Sequence, residues 1–133
     1  MSAHFLYAYL IFASLLAVPQ QSVIGDFTPS PNEHIINSID EPFVVRSLRG
    51  AIELADGDPL PGVLFEIQGP GTDRRMRKTT TDKSGHFKIS HMLAGEYRFK
   101  ATLISFQSVM GTIRISNKAN KRDIVKIKMR VGV

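Results

Sequence analysis

The side chains best suited to binding chemistry form a short basic run near the middle of the chain. Lysine and arginine attract phosphates, sulfates and carboxylates, and a cluster of them steers anionic partners towards the surface. The sequence therefore predicts an anionic-ligand patch, with salt-sensitive binding to lipopolysaccharide or phospholipid vesicles as its expected signature. The plainer interpretation is a solvated strand face. The patch comprises Arg74, Arg75, Arg77, Lys78 and Lys88.

Histidines and aspartates do not form a pattern typical of a metal site. His86 and His91 are five positions apart, a spacing that sends them to opposite faces of a strand. Catalytic zinc typically needs three convergent protein ligands, and calcium needs about six to eight oxygens. Asp56, Asp58 and Asp82 lie in turn sequences, where their carboxylates bond to the local backbone. We expect no metal ion.

The sequence also lacks the residue combinations of common enzymes. It contains no cysteine, which excludes thiol catalysis, thiolate metal sites and disulfides. No serine lies in a Gly-x-Ser-x-Gly sequence, and no glycine-rich phosphate-binding loop is present. Because hydrolysis needs a nucleophile, a base and a group that orients the base, we expect no catalytic residue, no cofactor and no enzymatic activity.

The first 25 residues are predicted to be a signal peptide. Residues 5–18 are apolar and uncharged and are followed by Pro19, a length that suits a signal-peptide core but is short for a membrane span. We predict cleavage before Asp26 and a secreted or periplasmic protein. Because no Lys or Arg precedes the apolar stretch, an uncleaved segment that tethers the protein to the membrane is the alternative; a buried core helix is disfavoured because no amphipathic period is present. Residues 26–43, which begin with a proline-rich stretch, are predicted to be a linker.

From residue 44 onwards apolar and polar residues alternate in seven short segments separated by turn sequences. Period two is typical of strands with one buried face, and no helical period is present. We predict an all-β fold over residues 44–131, a seven-stranded antiparallel Greek-key β-sandwich in which Phe65, Phe87 and Phe99 face the core. Residues 82–85 are predicted to close a hairpin, and the outward lysines of the last strand to protect a sheet edge.

Four short segments in this region resemble the carboxypeptidase regulatory-like domain family, which has a prealbumin-like (transthyretin-like) sandwich and is common in exported bacterial proteins. The resemblance covers residues 44–131 and implies an accessory or interaction module without catalytic residues. Leu93-x-Gly95-x-Tyr97 is also similar to a tyrosine corner, in which the phenol bonds to the upstream backbone. The four segments are Arg49–Ile52, Pro59–Val63, Thr79–Phe87 and Leu93–Arg98.

The function expected from these observations is a non-catalytic exported module for protein or cell-envelope interaction, or with a structural role. The net charge of +5 lies entirely beyond residue 25, so the folded part is basic. The expected partner is an envelope or extracellular protein or an anionic surface component rather than nucleic acid, and the protein is expected to be a monomer. Carbohydrate binding of the starch-binding type is the alternative, with Phe27, Phe43 and Phe106 as the aromatic candidates.

Overall fold

The chain folds into two β-sheets packed face to face. The structure is a computed structural model that describes residues 23–24, 26–30 and 35–132, and these residues contain no helix. Ten strands occur among them, in the chain order β1 (Val23–Ile24), β2 (Ile36–Ser38), β3 (Phe43–Val45), β4 (Leu48–Leu54), β5 (Leu64–Gln68), β6 (Arg75–Thr80), β7 (His86–Ile89), β8 (Gly95–Thr102), β9 (Ser108–Ile115) and β10 (Val125–Met129). The predicted signal peptide lies outside the described residues, apart from the two that form β1.

The two sheets differ in size. The large sheet has the strand order β1-β6-β5-β8-β9-β2, with β3 also paired to β9, and the small sheet has the order β10-β4-β7. Among the described residues, those of the core all lie between Val45 and Met129, so the chain from Asp26 onwards contains all of them. The prediction of an all-β sandwich is confirmed.

The pairing corrects the prediction of a purely antiparallel sandwich. Each of the seven predicted segments forms a strand, but β10 runs parallel to β4, and both β2 and β3 run parallel to β9. The reason is that β10 follows β9 in the chain but lies in the opposite sheet, so a crossover rather than a hairpin leads into it. As predicted, β10 occupies a sheet edge.

The core contains a stack of three phenylalanine rings that joins the sheets. The Phe65 ring lies between Phe87 of the small sheet, at a centroid distance of 4.1 Å, and Phe99 of its own sheet, at 5.5 Å. The outer rings each cover a glycine that is their direct cross-strand partner, Gly50 for Phe87 and Gly111 for Phe99. A Cβ atom on Gly50 would lie 2.6 Å from the Phe87 ring, so the ring occupies the space of the missing side chain.

Two tight connections carry the chain between the sheets. Residues 82–85 form the predicted turn, closed by a bond from the Gly85 N–H to the Asp82 carbonyl, but they lead from β6 in the large sheet to β7 in the small sheet. The prediction of a hairpin is therefore wrong, although the turn is present. The backbone N–H groups of His86 and Ser84 donate to Asp82 Oδ1 at 3.0 and 2.9 Å, and these bonds hold the pKa of the carboxyl below its usual value.

The return from β7 to β8 contains the predicted tyrosine corner. The Tyr97 hydroxyl donates to the Leu93 carbonyl oxygen at 2.7 Å, while its ring is buried in the core. Burial raises the pKa of the phenol. The bond ties the crossover segment to the strand that it enters, so the prediction of a tyrosine corner is confirmed.

Residues 26–30, here called the strap, lie across the outer face of the large sheet. Glu66 accepts bonds from the Thr28 N–H at 3.0 Å and from the Thr28 hydroxyl at 2.9 Å, and Lys100 Nζ donates to the Thr28 carbonyl at 2.8 Å. Further along, the hydroxyls of Ser30 and Ser108 share a hydrogen bond. The strap thereby buries polar side chains that alternation alone would leave in water.

The strap and the strands beside it change the interpretation of the predicted linker. Within residues 26–43 the structure places the strap on the large sheet and β2 in that sheet, so the described parts of this stretch are packed on the domain rather than free. The side chain of Ile39 also packs against the core. The described parts of this stretch therefore extend the sandwich.

Candidate functional site

The outer face of the small sheet carries a concentration of positive charge. Its three strands alternate, so that the side chains of Leu48, Ile52, Phe87 and Ile127 point into the core while their neighbours in the chain point outwards. Four of the outward side chains are basic and exposed, and we call this set the basic face: Arg49 on β4, Lys88 on β7, and Lys126 and Lys128 on β10.

The register of the strands brings the four cations close together. Arg49 is the direct cross-strand partner of Lys88. Lys126 and Lys128 pair with the next outward positions of β4, Ala51 and Glu53. Because adjacent strands are about 4.8 Å apart and alternate residues about 6.6 Å apart, the basic face spans roughly 10 Å across the sheet and about 13 Å along it. This width suits a multivalent anionic surface better than a single small anion.

The basic face is only partly neutralised by the protein itself. Lys128 Nζ lies 3.7 Å from Glu53 Oε1, and because the lysine is exposed and the glutamate only half-buried, this pair contributes little to stability. Arg49 donates to the Lys121 carbonyl at 2.8 Å, which orients its guanidinium without cancelling its charge. Within the part of the chain that the structure describes, Lys88 and Lys126 have no acidic partner. Like charges directly opposite each other destabilise a strand pair, so an external anion at Arg49 and Lys88 would relieve repulsion.

The structure does not bring the five residues of the predicted patch together. Arg74 and Arg75 are exposed and pair with acidic neighbours, Arg74 with Asp26 at 2.8 Å and Arg75 with Asp73 at 3.6 Å. Lys78 lies on the outer face of the large sheet as the direct partner of Glu66. These three cations are therefore partly compensated and belong to the opposite sheet from Lys88.

The remaining two residues of the predicted patch have different surroundings. Arg77 is half-buried, and its Nη1 donates to the Ser90 carbonyl at 2.7 Å and contacts Met92 Sδ at 3.3 Å, so it joins β6 to the segment after β7. Lys88 alone lies on the basic face. The reason is the crossover at residues 82–85, which places β6 and β7 in different sheets instead of side by side.

Sequence reasoning placed Arg49, Lys126 and Lys128 outwards but did not group them with Lys88. The alternation that shows which face a residue occupies does not show which strand lies beside it. Here the partners of β4 come from β7 and from β10, and the pairing with β10 is parallel and distant in sequence. The outward lysines of the last strand are the available sequence signal, and alternation by itself indicates only that they protect a sheet edge.

The aromatic candidates for a carbohydrate site are half-buried against neighbouring side chains. The Phe27 ring lies under the Arg98 guanidinium at 5.8 Å, Phe43 packs at 6.0 Å from Phe99, and Phe106 packs against the core. Each of the three rings is half-buried, so only part of its surface is open for a sugar ring to stack on.

The described residues do not assemble an obvious metal site. They contain no group of three or more His, Asp or Glu side chains placed to hold a metal ion. His86 lies on the outer face of the small sheet beside Ala51, and His91 is exposed in the crossover segment with a φ of 61°. No helix in this part of the chain is long and apolar enough to cross a membrane.

The two packed sheets, the tyrosine corner and the absence of helix in the described residues define a small all-β sandwich domain. The sequence matches the family model of the carboxypeptidase regulatory-like domain over residues 47–130. The chain therefore belongs to the carboxypeptidase regulatory-like domain family, as the four short segments predicted. A comparison with curated proteins found no relative.

Known structures with a similar arrangement are distant. The 3-chlorocatechol 1,2-dioxygenase of Rhodococcus opacus 1CP shares 14% identity over 74% of this chain, with a TM-score of 0.43. The catechol 1,2-dioxygenase of Acinetobacter sp. ADP1 shares 13% identity over 92% of this chain, with a TM-score of 0.45. The chain spans 57% and 59% of the lengths of these proteins. Similarity at this level says nothing about the chemistry of this domain.

Proposed function

We propose that this protein is a non-catalytic binding module that acts outside the cytoplasm and docks an anionic partner at the cell envelope through the basic face. The observation that carries the proposal is the grouping of Arg49, Lys88, Lys126 and Lys128 on one exposed sheet face with Glu53 as their acidic neighbour. The partner is an acidic envelope or extracellular protein or an anionic surface component. Membership of a regulatory-like domain family agrees with an accessory role.

The arrangement supports binding better than catalysis. The basic face is a flat surface on regular strands, where long flexible side chains meet a partner without enclosing it. Cations on such a surface increase the rate of encounter and contribute modest affinity that falls with ionic strength.

Binding of a soluble polyanion tests the proposal. We expect the chain from Asp26 to Val133 to bind heparin, measured by isothermal titration calorimetry, with an affinity that decreases steeply as salt is raised. A triple variant of the basic face, Lys88→Gln, Lys126→Gln and Lys128→Gln, should bind at least about tenfold more weakly, since each exposed contact contributes roughly 0.5 kcal/mol or more.

The control removes the same amount of charge elsewhere. A second triple variant, Arg74→Gln, Arg75→Gln and Lys78→Gln, alters exposed members of the predicted patch and should retain wild-type affinity. If both triple variants lose affinity equally, binding reflects net charge alone and the basic face is not a site. If only the second variant loses affinity, the original patch is the docking surface and the proposal is overturned.

A further inference from the structure

Two large apolar side chains are exposed on adjoining segments at one end of the sandwich. Ile104 is 74% exposed and Val131 is 61% exposed. Ile104 lies in the connection from β8 to β9, and Val131 follows β10. The two segments are joined by the bridge between Phe106 and Val131 and by a bond of 2.7 Å from the Gly132 N–H to the Ser105 carbonyl. We call Ile104 and Val131 the apolar tip.

The exposure of Ile104 is built into the geometry of its turn. The Phe106 N–H donates to the Leu103 carbonyl at 3.0 Å, which closes a four-residue turn, and Ser105 adopts a φ of 73°. Leu103 and Phe106, at the two ends of the turn, pack against the core. The turn is therefore anchored on both sides of Ile104, and the isoleucine cannot fold back into the interior without breaking these contacts.

The apolar tip lies just beyond the carboxyl end of β10, the strand that carries Lys126 and Lys128. The outward residues of this strand, Lys126 and Lys128, are followed by the exposed Arg130 and then by Val131. The Arg130 carbonyl accepts the Gln107 N–H at 2.9 Å, which keeps the end of β10 next to the loop that carries Ile104. The surface thus changes from positive to apolar within a few residues.

We propose that the anionic partner of this domain is a phospholipid bilayer, with the apolar tip inserted below the headgroups. This inference rests on the proposed function and names the partner of the same surface. An anionic bilayer presents negative headgroups above an apolar interior. Lys128 and Arg130 would meet the headgroups, and Val131, which follows them in the chain, would meet the apolar interior. A soluble polyanion would neutralise the cations but leave Ile104 and Val131 in water.

The chain offers a direct fluorescence test because it contains no tryptophan. An Ile104→Trp variant of the chain from Asp26 to Val133 carries a single reporter in the tip, and the apolar residues 5–18, which would bind lipid themselves, are left out. Leu93 provides the matched control, since it is 71% exposed in the crossover between β7 and β8, away from the tip. On vesicles of phosphatidylcholine mixed with phosphatidylglycerol, Ile104→Trp should shift to shorter wavelength and Leu93→Trp should not.

Vesicle co-sedimentation measures the affinity. The unmodified chain should bind the mixed vesicles and not pure phosphatidylcholine, because the basic face needs anionic headgroups. The double variant Ile104→Ser with Val131→Ser should bind about tenfold or more weakly, since it removes the apolar area that insertion would bury. Leu93→Ser should bind like the wild type. Circular dichroism and thermal midpoints confirm that each variant is folded.

The outcomes separate this inference from the proposed function. If the tip variant binds mixed vesicles as tightly as the wild type, or Ile104→Trp shows no shift, insertion is overturned while docking through the basic face stands. Salt-sensitive heparin binding without vesicle binding would also overturn insertion and leave docking through the basic face standing. It would point to a soluble anionic partner. If the folded chain binds neither heparin nor mixed vesicles, the proposed function itself fails.

Discussion

Replacement of Lys100 by methionine tests whether the strap buries the charged outer face of the large sheet. The Lys100 residue is only 5% exposed, and its ammonium donates to the Thr28 carbonyl at 2.8 Å. Its direct partner Glu66 is buried to the same extent and binds the N–H and hydroxyl of the same threonine. Lys100→Met keeps the length of the side chain but leaves the Thr28 carbonyl without its donor and the Glu66 carboxylate without its buried cationic neighbour.

The expected loss in the free energy of unfolding is about 3 kcal/mol. A hydrogen bond to a charged group contributes about 1.5–3 kcal/mol, and the buried Glu66 carboxylate also loses a neighbouring positive charge, while the apolar packing of methionine recovers a part of the cost. In a chain that begins at residue 31, water replaces the strap over Glu66 and Lys100. The same substitution should then cost less than about 1 kcal/mol.

Urea denaturation followed by far-ultraviolet circular dichroism measures both differences, since the chain has no tryptophan to report unfolding. Lys78→Met is the matched control, because Lys78 is the other direct partner of Glu66 on this face but is exposed. We expect it to change the free energy of unfolding by less than about 0.5 kcal/mol. Equal costs of Lys100→Met in the chains with and without the strap would refute the reasoning.

Three further predictions concern the core and the two crossovers. Tyr97→Phe removes the bond to the Leu93 carbonyl and should lower the free energy of unfolding by about 1 kcal/mol; an unchanged urea midpoint would show that the corner bond has no net effect. Gly50→Ala places a Cβ atom 2.3 Å from the Val125 carbonyl oxygen and 2.6 Å from the Phe87 ring, and it should lower the free energy of unfolding by about 3 kcal/mol; a neutral effect would mean that both β10 and the ring have room to move. The pKa of Asp82 is lowered by the two backbone N–H groups that its carboxylate accepts, so its contribution to stability is present at neutral pH and is lost as the pH falls through the lowered pKa. The Asp82→Asn variant should therefore lose less stability than the wild type on acidification, and identical acid unfolding curves for the two proteins would contradict this.

The burial of the seven main strands was predictable because it depends on local alternation. Phe65, Phe87 and Phe99 are at most 5% exposed, as the pattern required. The tyrosine corner was also predictable, since the bond from Tyr97 reaches a carbonyl only four residues upstream. Features of this kind involve short sequence separations, and the residue types alone indicate their geometry.

The buried charges of the large sheet were not predictable in the same way. Alternation places Glu66 and Lys100 outwards, where solvent exposure is the ordinary expectation. The strap that covers them comes from a proline-containing stretch 38 residues before Glu66 in the chain, which by composition resembles a linker. No local pattern in residues 26–30 indicates that the backbone of these residues will bond to charged side chains on two different strands.

The sequence by itself determined the class of fold, the faces of the strands and the basic character of the domain, because period-two burial and net charge are local or additive properties. The tertiary structure decided which cations act together. Arg49, Lys88, Lys126 and Lys128 meet because β10 crosses to the small sheet and runs parallel to β4, while the crossover after β6 separates Lys88 from Arg74, Arg75 and Lys78. Strand pairing depends on packing the whole core at once, and alternation along one strand carries no information about its neighbours.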